Sequence, residues 1–476
     1  MTGPSDHSRS SWRLLALAMA MLLPSLGTSI ANVALPSLET AFAAPFSHVQ
    51  WVILSYLLTV TTLIVGVGRL GDLVGRRQLL LGGIGIFALA SAGAALAPSL
   101  WVLVAARAIQ GLGAAIMMAL TVASVNDVVS KERTGSAIGL LGTVSAIGTA
   151  LGPSLGGALL SWASWPAVFA VMAGAGLVTF LVGLRMLPAS PASEQKPISF
   201  DFPGMMLLAL SLGAYALSTT LGGAHPGLLN AGLAALSVVG VTAFVIVENR
   251  TADPLVRIEL LLERGLGAGL VSLGLVSAIM MTTLVVGPFY LSDALGLGPV
   301  QTGLVMSIGP GIAALVGLPA GRLVDSFGSS KVMIFGLAGV IAGTALMTVL
   351  PSWFGVAGYV GGLALITAGY ALFQAANNTG VMAGATKDQR GLTSALLGLS
   401  RNLGLVTGAS AMGAVFALSR QGFATLGLAP GSGSGLQVTF ALAAALALGA
   451  MSMTLWSLPG LHSRKATLKR QSRADI

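Results

Sequence analysis

The chain has no cysteine, and only 8% of its 476 residues are charged. The missing thiols exclude disulfide bonds, thiolate metal sites and cysteine nucleophiles. The shortage of charge has a different meaning, because 55% of the residues are hydrophobic and the mean hydropathy is +0.90. One soluble core cannot hold that much apolar surface. The composition therefore predicts a protein that crosses a membrane many times.

The apolar residues form continuous runs of about twenty residues, the length that an α-helix needs to span a bilayer. Strands of membrane β-barrels alternate apolar and polar residues over about ten positions, so helices are favoured. Fourteen runs are present, at 14–35, 49–67, 79–97, 100–122, 136–160, 163–184, 203–221, 229–247, 266–291, 303–320, 332–350, 354–373, 393–417 and 437–458. We expect an all-α polytopic membrane protein with 14 spans.

The first run admits two interpretations. Arg9 and Arg13 precede it, and Ala41-Phe42-Ala43 is similar to a signal-peptidase site, so it has the outline of a cleaved signal peptide. The run continues to Leu35, however, and further spans follow at once. These features favour a first spanning helix.

The basic residues predict the orientation. With a cytoplasmic N-terminus, 21 of the 24 Lys and Arg residues lie in the inner connectors and tails, and Arg420 alone lies in an outer loop. Such a bias marks the cytoplasmic side. We therefore expect a multi-pass protein of a bacterial inner (plasma) membrane with both termini in the cytoplasm. The two remaining basic residues, Arg107 and Arg401, fall inside spans.

A charged turn between spans occurs twice. The stretch Gly-Arg-Leu-Gly-Asp-Leu-Val-Gly-Arg-Arg at 68–77 has a weaker copy at 321–328, 253 residues later, with Lys331 beyond it. This repeat predicts two six-helix bundles joined by an insertion. The expected parts are a cytoplasmic N-terminus at 1–13, a first bundle at 14–185, a linker with two extra transmembrane helices at 186–265, a second bundle at 266–460 and a basic cytoplasmic tail at 461–476.

Three stretches together resemble one family. The turn at 68–77 is similar to the loop signature of the major facilitator superfamily, Gly-x-Leu-x-Asp-x-x-Gly-Arg-Arg. Arg107-Ala-Ile-Gln110-Gly resembles that superfamily's Arg-x-x-Gln-Gly signature, and the glycine-rich stretch 148–157 resembles the Gly-x-x-x-Gly-Pro-x-x-Gly-Gly signature of drug:proton antiporters. Together with the 14 spans, they resemble the fourteen-helix drug:proton antiporter branch of multidrug efflux type, over nearly the whole chain.

The resemblance implies a major facilitator fold, two six-helix bundles plus two inserted helices, that works by alternating access. It assigns the turn as a conformational latch and the glycine-rich stretch as a helix kink between moving halves. The latch residues would be Asp72, Arg76, Arg77 and Asp325, and the kink residues Gly148, Gly152, Pro153, Gly156 and Gly157. The plainer alternatives are a capped, topology-setting turn and a close-packed helix crossing.

Two arginines inside apolar spans are the strongest candidates for a substrate cavity. A charge inside the bilayer costs at least about 2.5–3.5 kcal/mol, so such residues usually face a pathway. We expect a cavity that contains Arg107, Gln110, Arg401 and Asn402. For Arg107 a structural role, with hydrogen bonds to backbone carbonyls, is the alternative. Apolar lining residues, or simple packing residues, are Met117, Met118, Phe289, Tyr290, Tyr370 and Phe373.

One position departs from the antiporter pattern. The first span ends in a stretch that resembles Leu-Asp-x-Thr-Ile-x-Asn-Val-Ala-Leu-Pro, with Gly27 where the acidic residue would be. No other acid lies in mid-span: Glu39 and Asp293 are at outer ends, and Asp72, Asp127 and Asp325 at inner ends. This makes a dedicated exchanger of cations for protons less favoured than a carrier of neutral or anionic amphiphiles.

The sequence thus predicts proton-coupled export of small amphipathic organic compounds. The expected partners are a small-molecule substrate, protons and membrane lipid, with a monomeric protein, no nucleic acid, no metal and no cofactor. An importer or exchanger of a metabolite is the first alternative, since a fold does not set direction. A membrane enzyme or receptor is disfavoured, and the missing Gly-x-x-x-x-Gly-Lys-Ser/Thr loop speaks against a pump with its own ATPase.

Overall fold

The computed structural model describes residues 4–129, 134–188, 201–221, 227–251, 263–384, 390–420 and 430–457. Regular structure within these ranges is helical. The predicted basic tail at 461–476 and the side chains of Asp72 and Asp127 lie outside what the structure describes.

Long helices account for most of the described chain. The first six are α1 Pro4–Ala41, α2 Trp51–Val74, α3 Arg76–Ala95, α4 Leu100–Ala123, α5 Thr134–Ala163 and α6 Trp165–Met186. The next four are α7 Phe202–Thr220, α8 Leu228–Glu248, α9 Arg264–Phe289 and α10 Pro299–Phe327. Further along are α13 Arg390–Thr407 and α14 Ser432–Ser457. Wider π-helical turns, Tyr290–Ala294 and Gly408–Met412, follow α9 and α13, and Gly413–Ser419 continues the latter as α-helix.

The segment Ser329–Gly384 contains two spans in one hydrogen-bonded run of 56 residues. A straight helix of this length, at about 1.5 Å per residue, would be about 84 Å long, against about 30 Å of hydrocarbon. Gly355 breaks it with φ 53° and ψ −126°, close after Pro351. We label the two parts α11 (329–354) and α12 (356–384). Within the described ranges, 13 helices are long and apolar enough to cross a membrane, and this one crosses twice, which confirms the predicted 14-span, all-α fold.

The duplicated turn has the same backbone in both copies. Gly75 joins α2 to α3 with φ 101°, and Gly328 joins α10 to α11 with φ 83°. Glycine adopts this left-handed region without the strain that a side chain would cause. The two turns therefore reverse the chain in the same way, at positions 253 residues apart.

Small residues allow the helices to approach closely at equivalent crossings. A Cβ atom on Gly113 of α4 would lie 2.6 Å from the carbonyl oxygen of Gly83 on α3. In the second half, a Cβ on Gly369 of α12 would lie 2.6 Å from the oxygen of Gly336 on α11. Helices in lipid associate by such packing of small residues.

Helices α1–α6 pack on one another, and so do α9–α14; we call these sets the first and second bundles. Helices α7 and α8 form a pair, and α7 packs on α2, where Trp51 Nε1 donates a 3.1 Å hydrogen bond to Thr220 Oγ1. The bundles meet through α5 with α10, α2 with α13 and α1 with α9. We call the two ends of the molecule the Glu39 end and the Arg76 end.

Candidate functional site

A cavity of about 300 Å³ lies between the two bundles. It takes residues from α1, α2, α4 and α5 on one side and from α9, α10, α12 and α13 on the other. Its polar lining residues are Ser25, Thr28, Tyr56, Ser145, Thr149, Thr283, Thr367, Tyr370, Gln374, Arg401 and Asn402. Because both bundles contribute, a relative movement of the bundles would change its shape and access.

Among the polar residues that line the cavity, the second bundle supplies the buried atoms without a partner in the described part of the chain. Arg401 Nε and Asn402 Nδ2 on α13, together with Thr367 Oγ1 on α12, are buried without a hydrogen-bond partner among the described residues. Unpaired buried donors are rare in proteins and call for an explanation. The structure thus brings Arg401 and Asn402, both predicted cavity residues, into one wall.

The hydroxyl groups that the first bundle contributes to the lining, in contrast, are bonded within that bundle. Ser25 Oγ and Ser145 Oγ lie 2.6 Å apart, and Thr28 Oγ1 donates to the carbonyl oxygen of Pro24 at 2.9 Å. Thr149 Oγ1 donates to the Ser145 carbonyl oxygen at 3.1 Å. The two walls of the cavity therefore differ in unused hydrogen-bonding capacity.

Much of the remaining lining is apolar and flexible. The side chains of Met118, Met280, Met281 and Met306 contribute to it. Met118 and Tyr370 were among the apolar candidates that the sequence suggested. The other four, Met117, Phe289, Tyr290 and Phe373, are buried in the packed core instead.

Arg107 and Gln110 lie outside this lining, so the expectation that they face the cavity is corrected. Both side chains have 0% exposure. The Arg107 guanidinium donates to the carbonyl oxygen of Val52 at 2.9 Å and to Gln110 Oε1, and Gln110 Nε2 donates to Ser91 Oγ at 2.6 Å. These bonds match the structural role that was the alternative for Arg107. They satisfy a buried charge within the first bundle.

Arg107 also explains how the chain accommodates Gly27. Its Nη2 donates to the backbone oxygen of Gly27 at 3.2 Å, and its guanidinium lies 4.3 Å from the ring centre of Tyr56. A carbonyl dipole and an aromatic face thus replace the expected carboxylate. Tyr56, which the sequence did not single out, is held by its hydroxyl group, which donates to the Pro24 oxygen at 2.9 Å.

The arginines of the turn bind helix ends inside the first bundle. Arg76 Nη1 donates to the oxygen of Ala123 at the end of α4, at 3.0 Å. Arg77 donates to Leu184 and Leu187 at the end of α6, both at 2.9 Å. The last carbonyl groups of a helix lack partners and carry partial negative charge, so cations suit them. Asp325 in the second copy is exposed.

The glycine-rich stretch of α5 contacts both bundles. A Cβ on Gly148 would lie 2.8 Å from the Leu22 oxygen of α1, and one on Gly156 would lie 3.0 Å from the Ile30 oxygen. Gly152 likewise faces α1, at Ser29.

The following residue, Gly157, faces the other bundle. A Cβ there would lie 3.1 Å from Gly303 Cα on α10 and would collide with the oxygen of Pro299. Pro153 is part of the same contact, because a Cβ on Gly303 would meet its carbonyl oxygen. Helix α5 continues through this proline. The role of the stretch as a kink between moving halves stays a prediction.

At the Glu39 end an arginine joins the two bundles. Arg420, just after the last turn of the α13 segment, lies 3.6 Å from Glu39 at the end of α1 and 3.2 Å from Asp293 beyond α9. Ser432 Oγ donates to the same Asp293 carboxylate at 3.0 Å. The sequence located these charges at one membrane face but did not predict that they meet. Their opposite signs at three helix ends were the one available signal.

Three phenylalanines close the same end. Phe46, from the connector after α1, has its ring centre 4.9 Å from that of Phe289 and 5.5 Å from that of Phe416. The Arg420 guanidinium lies 5.8 Å from the ring centres of Phe289 and Phe416. Aromatic contacts of this geometry stabilise the interface beyond their area alone. The bundles are therefore in tight contact at the Glu39 end.

Comparison with known proteins decides the family. The family model described as Major Facilitator Superfamily matches residues 17–409 and 271–474. The chain belongs to the Major Facilitator Superfamily. Its members are transporters and not enzymes, and the chain is a multi-pass membrane protein of this kind.

Several curated relatives align over most of the chain. The uncharacterized transporter YebQ of Escherichia coli K12 is 30% identical over 407 residues, 83% of this chain and 87% of that protein. The riboflavin transporter RibZ of Clostridioides difficile strain 630 is 27% identical over 85% of this chain and 88% of its own length. The putative multidrug resistance protein MdtD of Escherichia fergusonii is 30% identical, with coverages of 74% and 75%. Relatives named for multidrug resistance confirm the resemblance to the drug:proton antiporter branch.

A solved structure shows the same fold. An inward-facing, occupied bacterial homologue of the lysosomal transporter Spinster superposes with a TM-score of 0.69, over 96% of this chain and 97% of that one. Its sequence identity is 14%, so the likeness speaks for the fold alone.

Proposed function

We propose that the protein exports small amphipathic organic compounds, drugs among them, across the bacterial inner membrane by alternating access, coupled to protons. The observation that carries the proposal is the cavity between the bundles, which has a largely apolar lining and lies beside a tightly packed Glu39 end. A site between two bundles is where alternating access places a substrate. The name of MdtD, a putative multidrug resistance protein, supports export.

The charges at the two ends support loading from the cytoplasmic side. Basic residues predict that the Arg76 end faces the cytoplasm and the Glu39 end the outside. In that orientation the contacts among Glu39, Arg420 and Asp293 close the outer side. A state that is closed to the outside suits a transporter that takes its cargo from the cytoplasm or the inner leaflet.

Proton coupling has two candidate locations. Protonation of Glu39 or Asp293 would remove a charge that attracts Arg420 and so weaken the closure between the bundles. Asp72 and Asp127, at the opposite end, are the alternative carriers. The mid-span carboxylate of the resemblance is missing, because Gly27 occupies its place.

Efflux from cells and vesicles tests the proposal. An expressing strain is screened for growth against chemically varied toxic compounds, and hits are then followed as efflux from loaded vesicles with an imposed proton gradient. We expect resistance to several amphiphiles, and efflux that stops when an uncoupler collapses the gradient. Efflux that ignores the gradient would remove the antiport claim. Net accumulation of a labelled compound in cells would reverse the direction.

The alternative function is import or exchange of a metabolite without proton antiport. The riboflavin transporter RibZ favours it, since its alignment covers 88% of that protein. Uptake of labelled riboflavin by expressing cells, compared with cells that carry the empty vector, separates the two functions. Saturable uptake without resistance to any toxic compound would favour the alternative.

A further inference from the structure

We infer that the transported compound carries an anionic group, such as a carboxylate, which binds Arg401 and Asn402 on the second-bundle wall of the cavity. The rest of the compound is apolar and packs against the methionine side chains around it. This inference rests on the proposed transport function and deepens it by giving the charge and orientation of the substrate.

The charge balance of the cavity supports an anion. Arg401 supplies the one charged side chain among the described residues of the lining. Both ion pairs found among the described side chains belong to Arg420, at the Glu39 end. Arg401 therefore has no carboxylate partner among the described residues. A guanidinium away from water is stabilised by an opposite charge, and a cationic compound would add like-charge repulsion instead.

The free donors point to oxygen acceptors on the ligand. Arg401 Nε and Asn402 Nδ2 can only donate hydrogen bonds, and both are buried without an acceptor among the described residues. Arg401 and Asn402 both line the cavity, and each carries an N–H donor that no described protein group uses. A carboxylate has two oxygens that can accept from both, and hydrogen bonds to an ionised acceptor are the strong ones.

The opposite wall has no comparable group. The hydroxyl groups of Ser25, Thr28 and Thr149 already donate within the first bundle or to each other. Met118 comes from that bundle, and Met280 and Met281 come from α9. Thioether side chains adapt to apolar ligands of different shape, which allows a varied body beside a fixed anionic end.

A set of three fluorescent probes tests the inference. Dansylglycine, dansylglycinamide and dansylethylenediamine share one apolar fluorophore and carry an anionic, a neutral and a cationic end. Binding is measured by fluorescence titration of the purified full chain in an uncharged maltoside detergent, so that no lipid phosphate occupies the site. We expect dansylglycine to bind at least about tenfold more tightly than dansylethylenediamine, which corresponds to about 1.4 kcal/mol.

Variants then assign the preference to Arg401. Arg401→Gln should reduce dansylglycine affinity by about tenfold or more and leave dansylglycinamide within about threefold, because only the charged end loses its partner. Arg401→Lys should keep part of the preference, and Arg401→Glu should reverse it. Arg185→Gln, at an exposed arginine near the end of α6, is the matched control and should bind as the parent does.

Each remaining outcome is decisive. Absent dansylglycine binding, equal binding of the three probes, or tighter binding of the amine would overturn the inference, as would an anion preference that survives Arg401→Gln. The transport assay is separate. If vesicles expel anionic and cationic compounds equally, export stands and the anion site is wrong. If dansylglycine binds as expected but vesicles expel none of the compounds, the anion site stands and the transport function is wrong.

Discussion

Arg107 donates a hydrogen bond to the backbone oxygen of Gly27 at 3.2 Å, in a position where the antiporter pattern has a carboxylate. A guanidinium at 0% exposure is thereby held by carbonyl groups, Gln110 and the ring of Tyr56. This arginine organises the first bundle and does not contact the cavity. Among the described residues that line the cavity, the charged one is Arg401.

Arg107→Ala should therefore act on stability before it acts on substrate binding. Each buried acceptor left without its donor costs about 1–3 kcal/mol, and the Gln110 amide oxygen and the Val52 carbonyl oxygen both lose one. We expect a clearly lower unfolding temperature for the purified variant in detergent. Arg185→Ala, at an exposed position, should unfold with the parent. A variant of normal stability whose affinity for substrate alone is reduced would place Arg107 in the binding site.

Gly157→Ala should block the closed arrangement of the Glu39 end. The added methyl group would collide with the Pro299 oxygen and lie 3.1 Å from Gly303 Cα, so α5 and α10 would have to separate. We expect most transport to be lost while the protein still reaches the membrane. Gly174→Ala is the matched control, because a Cβ there meets no atom within 4 Å. Equal transport by the two variants would show that this crossing has no part in the cycle.

Arg420→Gln should loosen the contact between the bundles at the Glu39 end. The variant loses the attraction to Glu39 and Asp293, at 3.6 and 3.2 Å, and keeps a polar side chain. Since the chain has no cysteine, spin labels can be placed at Ala41→Cys and Val300→Cys, both exposed and in different bundles. Pulsed electron paramagnetic resonance should show longer distances between the two labels in the variant than in the parent.

The same labelled pair tests the acids of this contact. Glu39→Gln should lengthen the distance in the same direction as Arg420→Gln, and lowering the pH should lengthen it in the parent, because protonation neutralises the same carboxylates. A distance distribution that is identical in parent and variants would show that the ion pairs of Arg420 do not hold this end closed.

Arg77→Ala should loosen the end of α6. The guanidinium binds the oxygens of Leu184 and Leu187, and a cation at a helix C-terminus contributes about 0.3–1 kcal/mol. We expect faster amide hydrogen exchange in the peptide that covers 180–188, with a small fall in unfolding temperature. Arg77→Lys should recover part of the protection. If hydrogen exchange is unchanged, the hydrogen bonds of Arg77 contribute nothing to the stability of the end of α6.

Composition and run length were enough to establish the helical membrane fold. Continuous apolar runs leave no alternative way to satisfy backbone groups in lipid, so helices follow from the sequence alone. The duplicated turn could also be predicted from the sequence, since glycine adopts without strain the positive φ found at Gly75 and Gly328. The predicted span boundaries were less accurate within 329–384, because the helix continues through the connector up to the break at Gly355.

The residues of the cavity could be predicted from the sequence only in part. An arginine inside an apolar span marks either a cavity or a satisfied structural charge, and the sequence offered both alternatives for Arg107. The choice depends on which carbonyl groups and rings neighbouring helices bring within about 3–4 Å, which no local pattern encodes. Arg401 has the same kind of sequence context and ends in the cavity wall, with its Nε atom unpaired among the described residues.

The sequence by itself thus determined that the chain crosses the membrane as helices, that it is duplicated, and that it carries the superfamily's turn, because periodicity and backbone preference act locally. Only the tertiary structure decided which arginine is buried as a support and which lines the cavity, and that Arg420 joins two acids from different bundles. Those outcomes depend on contacts between residues from 51 to 381 positions apart, and such contacts are set by helix packing.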